Sequence, residues 1–293
     1  MTIPEIISSN ELTLSFEVFP PKADASADMV MKAARDVAAL QPSYVSVTYG
    51  AGGGTSAYTL KLARAIEDDY RLPVLVHLTC VSSSRDDVEA QIRRMREAGL
   101  VNVLALRGDI PEALKDADRS NWDYRHASEL IEELKAQGIF CVGAACYPEK
   151  HPESADSRAD LDGLKRKVDA GASFLTTQMF FDNDLLYRFL YHLRDEGITV
   201  PVVPGIMPIT DARQVRRAVQ LSSCSVPKRF LSLVDRFGSD PSAMRQAGVT
   251  YATDQIIDLY ANGIRHVHVY TMNKPDVAAQ IQKNLSELLG RVW

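Results

Sequence analysis

Several apolar runs of this sequence end in polar residues of types that can do chemistry. The runs end at Glu17, at His77 with Thr79, at Arg107-Gly108-Asp109 and at Gln178. Carboxylates and imidazoles can transfer protons, while amides and guanidinium groups bind polar ligands. One such residue would mean little, but as a set they favour a functional site over a solvated surface.

Glu17 is the most unusual member of this set. The stretch from Ser15 to Lys22 begins as a strand and ends after Pro20-Pro21. Glutamate is a poor strand former, and burying an unpaired charge is costly. Glu17 therefore either faces water at a sheet edge or is held inside the protein for a purpose.

The composition excludes several classes of protein. The 293 residues carry a net charge of −5, with no block of like charges, so nucleic acid and anionic membranes are not expected partners. No apolar run approaches the roughly 20 residues of a membrane span, and the N-terminus lacks the regions of a signal peptide. The cysteines show neither CxxC nor zinc spacing, which indicates reduced thiols in a cytoplasmic protein without a metal site. They are Cys80, Cys141, Cys146 and Cys224.

The elements that must position the polar set alternate along the chain. Eight β-branched or apolar runs are each followed by a helical pattern, in units of about 30 residues. Such units predict parallel strands and a single-domain (β/α)8 TIM barrel over residues 1–293. A doubly wound sheet is the rival, but it usually has a Gly-rich turn after its first strand, where this chain has Phe19-Pro20-Pro21. In a barrel, the polar set would lie together at the carboxyl ends of the strands.

Several of these residues also have simpler interpretations that involve no ligand. His77 could be a core histidine, and His266 and His268 are interpreted as packing or outer-face residues. Gly52-Gly53-Gly54 could be a flexible turn or a close approach to a ligand, but it is not a P-loop. Arg107-Gly108-Asp109 could be an ion-paired turn or a ligand contact.

With these residues in view, the whole chain resembles the methylenetetrahydrofolate reductase family, in its bacterial form with only the catalytic domain. The resemblance rests on nine motifs in order, with barrel spacing between them. They are Ser15 to Pro21, Val47 to Ala51, His77 to Cys80, Ala105 to Asp109, Ala145 to Pro152, Asp160 to Ala172, Thr177 to Asp182, Pro204 to Pro208 and Tyr270 to Asn273.

The resemblance implies a flavin-dependent reduction of 5,10-methylenetetrahydrofolate to 5-methyltetrahydrofolate, with NADH or NADPH reducing tightly bound FAD in a ping-pong cycle. It implies that Glu17 is the general acid that protonates N10 of the folate. That role needs a carboxyl group that keeps its proton, and the apolar neighbours Phe16, Val18 and Phe19 are expected to favour the neutral form. Asp109 is implied to lie by the flavin and hold the pterin.

The resemblance also implies the binding residues. Those for FAD are Thr48, Tyr49, Ala51, His77, Arg107, Gly108, Asp109, Tyr124, Arg125, Tyr147, His151, Asp160, Arg166 and Lys167. Those for the substrate are Glu17, Asp109, Gln178, Gln214 and Lys274. The resemblance further implies a homo-oligomer, and without a C-terminal regulatory domain we expect no inhibition by S-adenosylmethionine.

Two departures from the family pattern affect substrate binding. An aromatic residue expected on the helix after strand seven is missing, because Gln214 to Val219 contains none. The loop after the last strand has Lys274 where the family has arginine. An FAD-dependent barrel acting on another substrate, as proline dehydrogenase does, is therefore kept as an alternative, with a non-enzymatic flavin or folate carrier as a third.

Overall fold

The computed structural model describes residues 1–9, 11–21, 27–49 and 56–290. Ala51 and the glycine run at 52–54 lie outside the described residues. The described part contains nine parallel strands that form one sheet. They are β1 Thr13–Val18, β2 Val45–Val47, β3 Val74–Thr79, β4 Asn102–Leu106, β5 Cys141–Cys146, β6 Phe174–Thr177, β7 Val202–Val203, β8 Gly205–Ile206 and β9 His266–Tyr270.

The sheet closes on itself through the segment 202–206. Within this segment β7 pairs with β6, and β8 pairs with β9. Pro204 separates the two short strands because it has no backbone N–H to donate, although its carbonyl accepts from the His268 N–H at 2.8 Å. With β7 and β8 taken as one interrupted strand, the ring has eight strands. The predicted (β/α)8 barrel is confirmed.

Helices follow the strands. They are α1 Ile3–Ile7, α2 Ala27–Ala38, α3 Ser56–Tyr70, α4 Arg85–Glu97, α5 Ala127–Ala136, α6 Ser157–Asp169, α7 Asn183–Asp195, α8 Ala212–Ser222, α9 Lys228–Phe237, α10 Pro241–Ala261 and α11 Pro275–Asn284. Helix α5 begins at Ala127, because the Glu129 carboxylate accepts from the N–H of Arg125 (2.6 Å) and His126 (2.8 Å) and fixes the start. Among the described helices, none is long and apolar enough to cross a membrane.

In each strand, successive side chains alternate between the helix-covered face of the sheet and the barrel interior. In β1, Leu14, Phe16 and Val18 pack in the main core between the sheet and the helices. The intervening Ser15 and Glu17 point into the barrel, because successive side chains of a strand face opposite sides.

The amino end of the barrel is closed by α1, which the sequence did not predict. Its Ile3, Ile6 and Ile7 form one apolar cluster with Tyr44, Leu75, Leu104, Phe174 and Val203. The Asn102 side chain fixes the helix there, because its Oδ1 accepts from the Ile3 N–H at 2.9 Å. This end of the barrel is therefore sealed by packing.

The helical tract between β8 and β9 is divided into α8, α9 and α10, with breaks beside Pro227 and Gly238. A separate apolar cluster joins α8, α9 and α10 to the segment that follows β8. Ile209 of that segment packs with Val215 of α8 and Phe230 of α9. The cluster holds α8 beside the carboxyl ends of the strands.

Candidate active site

A cavity of about 800 Å³ lies at the carboxyl ends of the strands. This volume is in the upper part of the range for small-molecule sites. Most of the predicted site residues line it. They are Glu17, Thr48, Tyr49, His77, Arg107, Gly108, Asp109, Tyr147, His151, Asp160, Arg166, Lys167, Gln178 and Gln214.

Glu17 sits inside the barrel rather than at a wet sheet edge. Its side chain is only 20% exposed, and its Oε2 lies 3.6 Å from His77 Nε2. The same oxygen lies 3.7 Å from His268 Nε2 and accepts from Ser46 Oγ at 3.4 Å. A polar group drawn from β1, β2, β3 and β9 therefore holds the carboxylate at the floor of the cavity.

The surroundings of Glu17 differ from those expected from its sequence neighbours. Phe16 and Val18 were expected to desolvate the carboxyl group, but strand alternation sends both to the opposite face of the sheet. The groups beside Glu17 are instead two imidazoles and a hydroxyl. The expectation was wrong for Phe16 and Val18, because the environment of a strand side chain is set by its neighbours on adjacent strands and not by its neighbours along the chain.

His77 is buried and lacks a hydrogen bond through Nε2 in the described part of the chain. Burial lowers the pKa of His77, and the smaller effect of the Glu17 charge works against this. The imidazole is therefore neutral near neutral pH, with Nε2 facing the Glu17 carboxylate at 3.6 Å. It is not the fully bonded core histidine of the simpler interpretation.

His268 also faces the barrel interior, so the outer-face interpretation was wrong. Both ring nitrogens are engaged, Nδ1 with Ser15 Oγ at 2.8 Å and Nε2 with Ser46 Oγ at 3.1 Å. The ring stacks on Tyr44 at a centroid distance of 5.9 Å. His268 thus fixes Ser46, which in turn contacts Glu17. His266 likewise points inward, to Thr13 Oγ1 at 2.9 Å.

The turn after β4 carries both an ion pair and a cavity contact. The Arg107 guanidinium bonds to both Glu153 oxygens, at 2.7 and 2.6 Å. This pairing raises the pKa of Arg107 and lowers that of Glu153. Gly108 has φ +91°, and a side chain there would collide with Val81. The turn therefore places Arg107 and Asp109 at the cavity wall through a conformation that suits glycine.

A group of cations lies on the side of the cavity formed by α6. Arg166 is exposed, whereas Lys167 is partly buried and donates to the Ala145 carbonyl at 2.8 Å. Burial lowers the pKa of Lys167, the nearby Cys146 and Asp160 oppose this effect, and the positive charges of Arg107 and Arg166 add to it. Lys167, Arg107 and Arg166 are close enough to interact and form one electropositive region, in which Arg107 is also paired with Glu153.

Two glutamines are held by their carbonyl oxygens. Gln178 Oε1 accepts from the Met179 N–H at 2.9 Å. Gln214 Oε1 accepts from the N–H groups of Thr210 (2.8 Å) and Asp211 (3.0 Å), which caps α8. The Gln214 amide nitrogen has no partner in the described part and can donate to a ligand.

Four predicted site residues are not placed at the cavity. Ala51 lies outside the described residues. The Tyr124 ring is buried in the core and its hydroxyl donates to Glu133. Arg125 borders a shallow surface depression instead. Lys274 Nζ donates to Thr210 Oγ1 at 2.6 Å and is not among the described residues lining the cavity.

The structure adds lining residues that the sequence analysis did not select. Ser46 is two residues before Thr48, and His268 is two before Tyr270, so strand parity would have found both. Glu153 lies on a loop and Arg217 on a helix, where no such regular signal exists. In the described ranges, no group of three or more His, Cys, Asp or Glu side chains is placed to hold a metal ion.

Comparison with known proteins fits this geometry. The methylenetetrahydrofolate reductase family matches residues 2–286, nearly the whole chain. The chain belongs to this family. A 5,10-methylenetetrahydrofolate reductase of Pectobacterium carotovorum is 33% identical over 92% of this chain and 89% of its own length.

Other relatives show the extent of the shared domain. The Escherichia coli 5,10-methylenetetrahydrofolate reductase is 32% identical over 92% of this chain and 90% of its own length. A maize methylenetetrahydrofolate reductase (NADH) is 32% identical over 97% of this chain, which spans 50% of the maize protein.

A solved structure shares the fold. It is a protein from Clostridium thermocellum that binds two copies of 5-methyl-5,6,7,8-tetrahydrofolic acid. The TM-score is 0.66 at 11% identity, covering 97% of this chain and 98% of the other. At that identity the likeness supports the barrel alone.

Proposed function

We propose that this protein reduces 5,10-methylenetetrahydrofolate to 5-methyltetrahydrofolate, with NADH or NADPH as donor and bound FAD as the intermediate carrier. Membership of the methylenetetrahydrofolate reductase family supports the reaction class. The observation that carries the proposal is Glu17, a partly exposed carboxyl group held at the floor of the cavity by side chains of three other strands.

The cavity has donors and charges that suit FAD. The region formed by Arg107, Arg166 and Lys167 fits the pyrophosphate, and Thr176 Oγ1 in the lining is buried with no partner among the described residues. Thr48, Tyr49, His77, Gly108, Tyr147, His151 and Asp160 complete the proposed FAD-binding set. When bound, FAD carries the hydride from the nicotinamide to the folate.

Glu17 delivers the proton in this proposal. Protonation of the folate N10 opens the five-membered ring and makes the one-carbon unit able to accept hydride. In the described part of the chain no lysine or arginine lies within 4 Å of the Glu17 carboxylate, whose basic neighbours there are the two histidines His77 and His268. The hydrogen bond from Ser46 and the neutral His77 orient the group toward the cavity.

Asp109 and the glutamines bind the substrates. The Asp109 carboxylate can accept the N–H donors of a pterin, and its position at the cavity wall supports a role beside the proposed flavin. Gln178 and Gln214 are proposed to bind whichever substrate, nicotinamide or folate, occupies the cavity. One shared cavity supports a ping-pong order, in which the oxidised nicotinamide leaves before the folate binds.

The test is an anaerobic titration of the purified protein in two half-reactions. We expect a yellow protein that NADH or NADPH bleaches and methylenetetrahydrofolate recolours. Proline in place of the nicotinamide examines the alternative substrate, because an enzyme that oxidises proline would pass its electrons to the oxidised flavin and bleach it. We expect no bleaching with proline. A colourless protein that does not take up added FAD would contradict the proposal.

Glu17→Gln separates the two half-reactions. Bleaching by the nicotinamide should stay nearly normal, whereas recolouring by the folate should slow by about 10²–10⁴-fold, the usual contribution of a general acid. Glu11→Gln is the matched control, because Glu11 is an exposed carboxylate just before β1 at the other end of the barrel. Equal loss in both half-reactions would refute the acid role.

A further inference from the structure

One face of α8 lines the cavity, and it carries an unassigned cation. Gln214, Arg217, Ala218 and Leu221 all border the cavity. Their spacing of three, four and seven residues places them on the same side of a helix. Leu221 is 53% exposed and Arg217 is also exposed, so this face forms part of the cavity rim.

Arg217 is available for a ligand, whereas Arg213 and Lys274 are already engaged by other side chains. Arg213, one turn earlier, is paired with Asp211 at 2.6 Å. Lys274 donates to Thr210 at 2.6 Å. The Arg217 guanidinium has no acidic partner within 4 Å and no hydrogen bond in the described ranges. A guanidinium at a cavity rim is suited to bidentate pairing with a carboxylate.

We propose that Arg217 binds the carboxylates of the folate glutamate tail; this inference rests on the proposed function. The electropositive region of Arg107, Arg166 and Lys167 is assigned to the cofactor, so an anionic substrate requires a cation of its own. Arg217 is the cavity-lining cation on α8, the helix that also carries Gln214. In this role Arg217 replaces Lys274, which the sequence had assigned to the substrate.

The kinds of group on α8 favour the folate over the nicotinamide dinucleotide. Gln214 offers an amide, Arg217 offers a positive charge at the rim, and Leu221 offers an exposed apolar side chain beside it. A folate has a polar pterin, an apolar benzoyl ring and a terminal anionic tail, so each of these side chains has a counterpart. In a dinucleotide the anionic groups stand in the middle, between two polar nucleosides.

The experiment measures equilibrium binding of 5-methyltetrahydrofolate to the flavin-loaded protein. The ligand is used with three glutamates, with one glutamate, and as the pteroate that lacks the tail. We expect Arg217→Ala to weaken triglutamate binding by about two- to fivefold, as for a partly exposed charge pair. The effect should be smaller with one glutamate and absent without the tail, and Arg217→Lys should restore part of it.

Arg216→Ala is the matched control, because Arg216 is the exposed neighbour of Arg217 on α8 and does not line the cavity among the described residues. An equal loss in Arg216→Ala, or a loss for NADH alone, would overturn the inference. So would a loss of affinity in Arg217→Ala that is equally large for ligands with and without the tail, while folate binding by the unmodified protein leaves the proposed function intact. An unmodified protein that binds none of the three ligands would overturn the proposed function as well.

Discussion

The two ends of the barrel interior are built from the same strands but have opposite character. At the amino end, Leu75, Leu104 and Phe174 pack against the isoleucines of α1. At the carboxyl end, residues further along the same strands, such as His77 and Gln178, face an open cavity. Strand geometry is the same at both ends, so only the choice of inward-facing residues differs.

The amino end of the barrel therefore contributes mainly to the stability of the fold, and the carboxyl end holds the candidate site. Apolar groups at the sealed end gain from leaving water and from close packing. Burying the polar groups at the open end adds little to stability, because each loses its hydration and needs a hydrogen bond to offset that loss. We expect substitutions at the amino end to lower the free energy of unfolding without changing ligand binding. Substitutions near Glu17 should change ligand binding and leave the free energy of unfolding nearly unchanged.

The largest stability effect should come from Phe174→Ala at the sealed end. Phe174 is fully buried against α1 and the neighbouring strands, so truncation leaves a cavity and should cost about 3–5 kcal/mol of unfolding free energy. Urea unfolding measures the cost, and binding of the proposed flavin should be unchanged in the folded variant. Tyr191→Ala, which truncates a 67% exposed aromatic of α7, is the control. A loss below 1 kcal/mol would show that this end is not tightly packed.

Gly143→Ala should have the next largest effect. A Cβ at Gly143 would lie 2.3 Å from the Phe174 ring, so the ring must move and the free energy of unfolding should fall by about 1–3 kcal/mol. Phe174→Leu in the same chain should recover part of the loss, because a smaller side chain leaves room for the methyl group. Additive losses in a double-mutant cycle would contradict this contact.

The smallest effect concerns acid stability at the open end. Burial lowers the pKa of His77 below the usual 6.5, so the unfolded chain binds a proton at a pH where the folded protein does not. The free energy of unfolding should therefore fall as the pH drops from about 6.5 toward the lowered value, by about 1.4 kcal/mol for each unit of lowering. Burial also lowers the pKa of His126, His151 and His266, so His77 accounts for part of the slope.

His77→Gln should make the free energy of unfolding depend less steeply on pH, as measured by urea unfolding at pH 7.5 and pH 5.5. His192→Gln changes an exposed imidazole of α7 and serves as the control. An unchanged slope in His77→Gln would show that His77 is protonated as readily in the folded protein as in the unfolded chain.

Some parts of the site could be predicted because they follow from local pattern. Eight alternations of strand and helix identify the barrel, and the barrel places the residues at strand ends together. Gln178 and Asp109 were found in this way. Strand parity also points to Ser46 and His268, because each lies two residues before a residue of the polar set or of a family motif and so faces the same side of its strand. Tyr124 was misplaced because nothing local shows that its ring turns into the core.

The sequence alone determined the fold and the region of the site, because hydrophobic periodicity and strand ends are local properties of the chain. Only the tertiary structure decided the partners. Closure of the barrel sets β1 beside β9, and this brings His268 to Glu17 from the far end of the chain. It also decided that Lys274 is engaged by Thr210 while Arg217 faces the cavity. Contacts across strands and helices depend on register and packing, which no single segment encodes.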